Sequence, residues 1–317
     1  MLENFYTTLH REVAKQVIGN HQAQKLLLTA LLAEGHVLLE DDPGSGKTAL
    51  SRALAESLGL HFQRVQATPD LLPSDLTGIN IYRPDTKQFE FHAGPIFTEI
   101  LLVDEINRAT PRTQSALLEA MAERQVTADG QTRSLSELFF VIATQNPLET
   151  AGTFPLPEAQ LDRFMLQFSL EKLQHQDKEQ LVSQALKEGL LLPPLSPVTD
   201  AQQILAIRQT VREVYFHPVL LDYLVSLCEQ VPSLEGVVTG VSHRCLIQFA
   251  KACQAYAYLE KRQFVLPDDI QTLATPILAH RLFFQNSYTT TSRKEELIGE
   301  LLHKIQVPTE DWKLKSV

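Results

Sequence analysis

Apolar and polar residues along the first half of the chain alternate between two periods. Residues 21–34 (HQAQKLLLTALLAE) carry leucines and alanines at helical spacing, and HVLLE (36–40) follows as a short apolar run of strand length. A second helical stretch, TALSRALAESLG (48–59), ends on Gly59, and HFQRVQ (61–66) alternates as a strand does. ILLVDE (100–105) and LFFVIATQ (138–145) are apolar strand candidates, with FMLQFSL (164–170) a fourth. Between the first two, PRTQSALLEAMAER (111–124) predicts a helix with proline in its first turn. Strands that alternate with helices imply a parallel sheet covered on both faces, an α/β fold.

Two segments break this alternation. In INIYRPDTKQFEF (79–91), Ile79 and Ile81 lie on one side of a Pro-Asp turn and Phe89 and Phe91 on the other, which predicts a β-hairpin. QVTADGQTRSL (125–135) carries Asp129-Gly130, a strong hairpin turn signal. The proline-rich stretch LLPPLSPVTD (191–200) reads as a linker, and helical periodicity dominates after it. The expected division is an α/β domain over 1–190 and an all-α domain over 191–317.

A chain of 317 residues suits two domains. Its 28 basic and 38 acidic residues give a net charge of -10, which weighs against sequence-independent nucleic-acid binding. No apolar run approaches the about 20 residues that span a bilayer, and MLENFYTTLHREV lacks the pattern of a signal peptide. The chain therefore reads as cytoplasmic, with no membrane insertion. Cys228, Cys245 and Cys253 show no metal or redox spacing and read as reduced residues on helix faces.

The chemistry concentrates in four elements. In EDDPGSGKT (40–48), a strand leads into a glycine-rich loop and a helix, the context of a phosphate cradle. Asp42, Gly44, Ser45 and Gly46 would supply backbone N–H groups, Pro43 would shape the loop without donating, and Ala49 lies in the first turn of the helix. Lys47 would reach the β- and γ-phosphates and Thr48 would hold Mg²⁺. The spacing G-x-x-x-x-G-K-S/T puts the first glycine at Asp41, whose charge would repel a triphosphate by about 1 kcal/mol if solvated. Aspartate tolerates unusual φ/ψ, so the turn survives the change.

Asp104-Glu105 closes a buried strand in the order expected after such a loop. Asp104 would bind the metal, and Glu105 would act as general base on the attacking water. Asn146, at the end of the neighbouring strand, either orients that water or forms a turn before Pro147. Arg108, Arg112, Arg163 and Arg244 are candidates for an arginine finger, and composition alone does not choose among them.

Three stretches carry a resemblance: LLVDEINRATPRTQSALLEAMAERQVTADG (101–130), ATQNPLETAGTFPLPEAQLDRF (143–164) and GVSHRCLIQFAKACQAYAYLEKRQFVLPDDI (240–270). With the phosphate loop they resemble the AAA+ ATPases, and within them the MoxR family. The resemblance implies an αβα P-loop core followed by an α-helical lid, assembled as rings, usually hexamers, with ATP and Mg²⁺ between subunits. It implies that Asn146 is the sensor 1 residue, Arg163 the finger given to a neighbour's ATP, and Arg244 the sensor 2 arginine of the lid. Ile18-Gly19 resembles the stretch that lies against adenine, and both hairpins are expected to face the pore. The family implication is a chaperone that remodels partners, often proteins with von Willebrand factor A domains, and assists insertion of metals or cofactors. Asp41 and Asp42 depart from the family's loop, and His243 and Cys245 from its sensor 2 motif. Two alternatives follow: a non-catalytic scaffold whose nucleotide site Asp41 and Asp42 impair, and a nucleic-acid motor akin to the minichromosome maintenance helicases. Against the motor, the 79–91 hairpin is formally neutral, with Arg83 and Lys87 opposite Asp85 and Glu90.

Overall fold

The computed structural model describes residues 5–41, 44–146, 152–188, 193–284 and 290–308. The chain opens with α1 (Phe5–Val13) and α2 (His21–Leu32), then β1 (Val37–Glu40), α3 (Lys47–Leu58) and β2 (Phe62–Gln66). The short α4 (Pro73–Thr77) leads into the hairpin β3 (Gly78–Arg83) and β4 (Gln88–Ala93). β5 (Ile100–Asp104) and α5 (Pro111–Glu123) follow, then a second hairpin of β6 (Gln125–Ala128) and β7 (Gln131–Ser134). β8 (Phe140–Gln145), α6 (Glu158–Leu161), β9 (Leu166–Phe168) and α7 (His175–Glu188) complete the first half. The remainder is helical: α8 (Ala201–Arg212), α9 (Pro218–Glu229), α10 (His243–Leu259), α11 (Pro267–Leu278) and α12 (Thr291–Lys304).

Five strands form one parallel sheet in the order β2-β5-β8-β1-β9. β8 lies between β1 and β5, with Glu40 opposite Gln145 and Val103 opposite Ala143. The carboxyl ends of β1, β8 and β5 therefore open side by side, and that edge is where α/β sheets bind ligands. Alternate side chains of each strand enter opposite layers. Leu39, Leu102 and Ile142 join the core with α2, α3 and the C-terminal helices, while Leu38, Leu101 and Val141 join a second core with α5. β9 is shorter than the apolar run 164–170 that predicted it.

α2 explains how the two halves meet. Ten of its twelve residues are buried, because it is covered by the sheet on one side and by α8 and α10 on the other. Arg208 of α8, 4% exposed, donates to the carbonyls of Leu31 (2.6 Å) and Glu137 (2.7 Å), so α8 is hydrogen-bonded to the end of α2. The connection into α8 is also fastened to the first half. Val198 N–H donates to the Ser57 carbonyl, and Gly59 (φ 66°) passes so close to Thr199 that an added Cβ would sit 2.7 Å from its carbonyl oxygen.

Both hairpins form as the pattern predicts. Asp129 (φ 51°) and Gly130 (φ 76°) take the left-handed values of a type I′ turn. The hairpins touch: Asn80 donates to Asp129 (2.8 Å), and the Arg133 guanidinium lies 3.7 Å from the Phe91 ring centre. Ile79, Ile81, Tyr82 and Phe89 remain exposed on the first of them.

Candidate functional site

The loop after β1 opens a cavity of about 410 Å³. Asp41 does not take the left-handed φ for which a first glycine would be needed; its N–H donates to the Gln145 carbonyl at 3.2 Å and continues the β1–β8 ladder. The expectation that the turn draws on aspartate's tolerance of unusual φ/ψ is thus corrected: the backbone φ at this position is not left-handed and does not call for glycine. The left-handed values fall on Gly44 (82°) and Gly46 (96°), and a Cβ at either would meet nothing within 4 Å. Handedness demands glycine there, and the space beside the backbone stays open for a ligand. α3 begins at Lys47 with its N-terminal N–H groups at the cavity, a setting for anions. The Lys47 ammonium donates to the Asp41 carbonyl at 3.0 Å. Thr48 and Ala49 line the same wall, and Ser45 Oγ is buried with no hydrogen-bond partner among the described residues. Asp42 and Pro43 lie outside the described residues.

Across the cavity stand Asp104, Glu105 and Asn146, so the structure gathers the predicted acids and amide opposite the loop. Asp104 is 7% exposed and accepts from Arg64 Nε at 2.6 Å. Glu105 takes a left-handed backbone (φ 56°), an uncommon state for a long side chain, and its N–H donates to Thr144 Oγ1 at 2.9 Å. Its carboxylate receives Gln66 Nε2 at 2.6 Å and Arg108 at 3.1 Å. Arg108 is therefore paired within its own subunit, and Arg112 is exposed on the first turn of α5. Arg64 and Gln66 were not singled out in the sequence. Their signal is position: they alternate along edge strand β2, whose Gln66 lies opposite Asp104 in the register. The Asp104 carboxylate and the Thr48 hydroxyl are hard oxygen donors, and both face the cavity, so the donor set suits Mg²⁺.

Arg163 and Arg244 are brought together, but elsewhere. They line a second cavity of about 200 Å³ with Glu34, His36, Arg124 and Gln248, and neither borders the phosphate loop of its own chain. Among the described residues, neither guanidinium makes a side-chain hydrogen bond or ion pair. Arg124, by contrast, pairs with Glu34 at 3.5 Å, and Glu34 also holds Arg212 and, at 3.9 Å, Lys251. Burial tends to raise the Glu34 carboxyl, and the three cations together pull it below its ordinary value. His36 is buried with its pKa pushed down to about 4, because the charged ring would be desolvated. Its Nδ1 accepts from Val141 N–H (3.0 Å), which assigns the proton to Nε2, facing the Met121 carbonyl (3.2 Å).

Ile18-Gly19 borders neither cavity. Gly19 (φ 71°) lies against the approach to α7, where an added Cβ would come within 2.9 Å of Leu173. The three cysteines are buried on α9 and α10, and burial raises all three thiols. Among the described residues, no helix is long and apolar enough to cross a membrane.

Comparison with known proteins agrees with this layout. Residues 36–166 match the ATPase family associated with various cellular activities (AAA), and residues 235–301 match an AAA lid domain. The chain is 33% identical to Chaperone MoxR1 of Mycobacterium tuberculosis, covering 94% of this chain and 81% of the relative. It is 44% identical to protein YeaC of Bacillus subtilis, of unassigned function, over 94% of this chain and 93% of that one. A crystal structure of a Cytophaga hutchinsonii protein described as a candidate ATPase superposes with a TM-score of 0.86 at 34% identity, covering 96% of this chain and 94% of that one.

Proposed function

Because the chain belongs to the MoxR family of AAA+ ATPases, we propose that it hydrolyses ATP to ADP and phosphate with Mg²⁺ and uses the cycle to remodel a partner protein. In this reading the backbone of 44–48 and Lys47 hold the phosphates, and Thr48 and Asp104 hold the metal. The metal, when bound, neutralises charge on the β- and γ-phosphate oxygens. Glu105 takes a proton from the water that attacks the γ-phosphorus, and Asn146 orients that water. Glu105 is held by Gln66 and Arg108, so it must exchange at least one of these partners for water before it can act. Arg163 and Arg244 stabilise the transferred phosphoryl of a neighbouring subunit. Ile18-Gly19 is assigned to the adenine side, with the core over 1–190 and the lid over 191–317.

The observation that supports this reading is the separation of the two cavities. The loop, acids and amide meet in one, while the two arginines, unpaired among the described residues, meet in another. A closed ring places the second cavity of one subunit against the first of the next, and a hexamer is the assembly proposed. The partner proposed is a von Willebrand factor A domain protein, with metal or cofactor insertion as the outcome. The exposed apolar side chains of the β3–β4 hairpin offer a surface for gripping it.

The test is ATPase rate per subunit against protein concentration with Mg²⁺. Specific activity is expected to rise steeply with concentration, and Arg163→Ala is expected to remove the rise. Absence of turnover at every concentration would overturn the enzymatic reading and leave a scaffold.

A further inference from the structure

The segment that carries Arg163 has little secondary structure of its own. α6 is four residues long, Asp162 caps its end, and β9 does not begin until Leu166. It is held instead by Arg281, which lies just after α11 and is 4% exposed. Arg281 Nε donates to Asp162 Oδ1 at 2.8 Å. One terminal nitrogen donates to the carbonyls of Asp162 (3.2 Å) and Phe164 (2.7 Å) and to Gln248 Oε1 (3.0 Å). The other donates to the Met165 carbonyl at 3.3 Å and to the Ile277 carbonyl. The guanidinium thus grips the residues on both sides of Arg163, using the full planar fork that lysine lacks. The second oxygen of Asp162 accepts from Ser242 Oγ at 2.9 Å. Ser242 is the N-cap of α10, two residues before Arg244, and accepts from Cys245 N–H. One carboxylate therefore connects the Arg163 segment to the helix start that carries Arg244.

We propose that Asp162, held by Arg281 and Ser242, is a positioning residue that sets Arg163 and Arg244 as a fixed pair facing the neighbouring subunit's nucleotide. The proposal rests on the reading that both arginines act between subunits. Movement of the α8–α12 helices acts on the Arg163 segment through Arg281 and Ser242, while the N–H groups of Met165 and Leu166 on the His36 carbonyl tie its other end to the sheet. Preorganised donors matter at the transition state, where displacement by about 1 Å can cost about 100-fold in rate.

Asp162→Asn keeps the outline of the side chain and weakens both connections. It is expected to lower kcat by roughly 10- to 100-fold, with nucleotide Kd unchanged, because its own phosphate cavity is intact. Mixing it with Glu105→Gln subunits supplies an undamaged arginine pair to every Asp162→Asn site whose neighbour is a Glu105→Gln subunit, about half of them at equal proportions. The mixture is expected to exceed the mean of the two variants measured apart, which a merely misfolded subunit would not produce. Ser242→Ala, which leaves the Arg281 bonds in place, should show a smaller loss of the same kind, restored by the same mixing. Wild-type kcat in both variants beside a loss in Arg163→Ala, or no restoration on mixing, would overturn the positioning role. Wild-type turnover in Arg163→Ala would instead locate the failure in the reading of the arginines themselves.

Discussion

Replacing Asp41 by Asn removes one negative charge from the wall of the phosphate cavity and leaves the shape of the residue unchanged. The Lys47 ammonium lies 3.0 Å from the Asp41 carbonyl, and a phosphate oxygen on that ammonium would sit about 2.8 Å beyond it. The phosphate charge then lies about 6 Å from the Asp41 backbone, and the same separation, about 6 Å, is taken for its carboxylate. Coulomb's law gives a repulsion of about 0.7 kcal/mol in water and about 2.8 kcal/mol at an effective dielectric of 20. Asp41 is half-buried, so about 1.4 kcal/mol is a fair middle, or about tenfold in Kd. Asp41→Gly removes the same charge, but Asp41 has no left-handed φ to relieve. Glycine there should tighten nucleotide binding equally and lower stability by about 0.5–1 kcal/mol through added freedom of the unfolded chain. Calorimetric titration of ADP and ATP at two salt concentrations, with melting curves for both variants, separates the effects. Tightening in Gly but not in Asn would show that the backbone matters after all, and no tightening in either would show that the charge is not felt.

Glu105→Gln should keep nucleotide affinity and lose at least about 100-fold in single-turnover hydrolysis; unchanged turnover would remove Glu105 from the role of base. Arg64→Gln should lower the Mg²⁺ concentration at which a fluorescent nucleotide is half bound, since its guanidinium and a divalent ion share Asp104; an unaltered Mg²⁺ requirement would refute that competition. Stability should fall as pH drops below 6.5. His36 is neutral in the fold with its pKa near 4, and it protonates in the unfolded chain from 6.5 downward. At about 1.4 kcal/mol per pH unit this amounts to about 3 kcal/mol by pH 4, and buried His280 adds to the loss with the same sign. Urea unfolding between pH 8 and 4.5 measures the slope, which His36→Gln should reduce.

The strands, the two hairpins and the elements bearing the loop, acids and amide were legible because each leaves a local mark. Period-2 or period-3.6 patterning and a glycine at a turn are written within a few residues of where they act. What escaped is held by long-range pairing. Asp162 and Arg281 are 119 residues apart, and Arg208 reaches a carbonyl 177 residues away. Nothing in AHRL or AIRQ hints at such partners, and an arginine in a helical stretch reads as solvated. Arg64 and Gln66 were hidden for the opposite reason: they are exposed on an edge strand, where polar residues look ordinary. The φ of Asp41 escaped because spacing alone does not say which position of a loop turns left-handed. The joint cavity of Arg163 and Arg244 could not be read from residues 81 positions apart, yet it is the arrangement that separates them from their own phosphate loop.

The burial of α2 on nearly every side bears on how the molecule comes apart. A helix covered by the sheet, α8 and α10 would show water a largely apolar face, interrupted by Lys25, which pairs with Glu260, if the C-terminal helices are removed. A fragment ending at α7 would carry that uncovered leucine surface into solution and aggregate. Cutting the backbone once between α7 and α8 is a different matter. The two pieces would stay associated through α2, like halves of a nicked protein, and would separate only in denaturant. The lid of this chain is thus a cap that completes the hydrophobic core, and its motions during a nucleotide cycle have to proceed without uncovering α2.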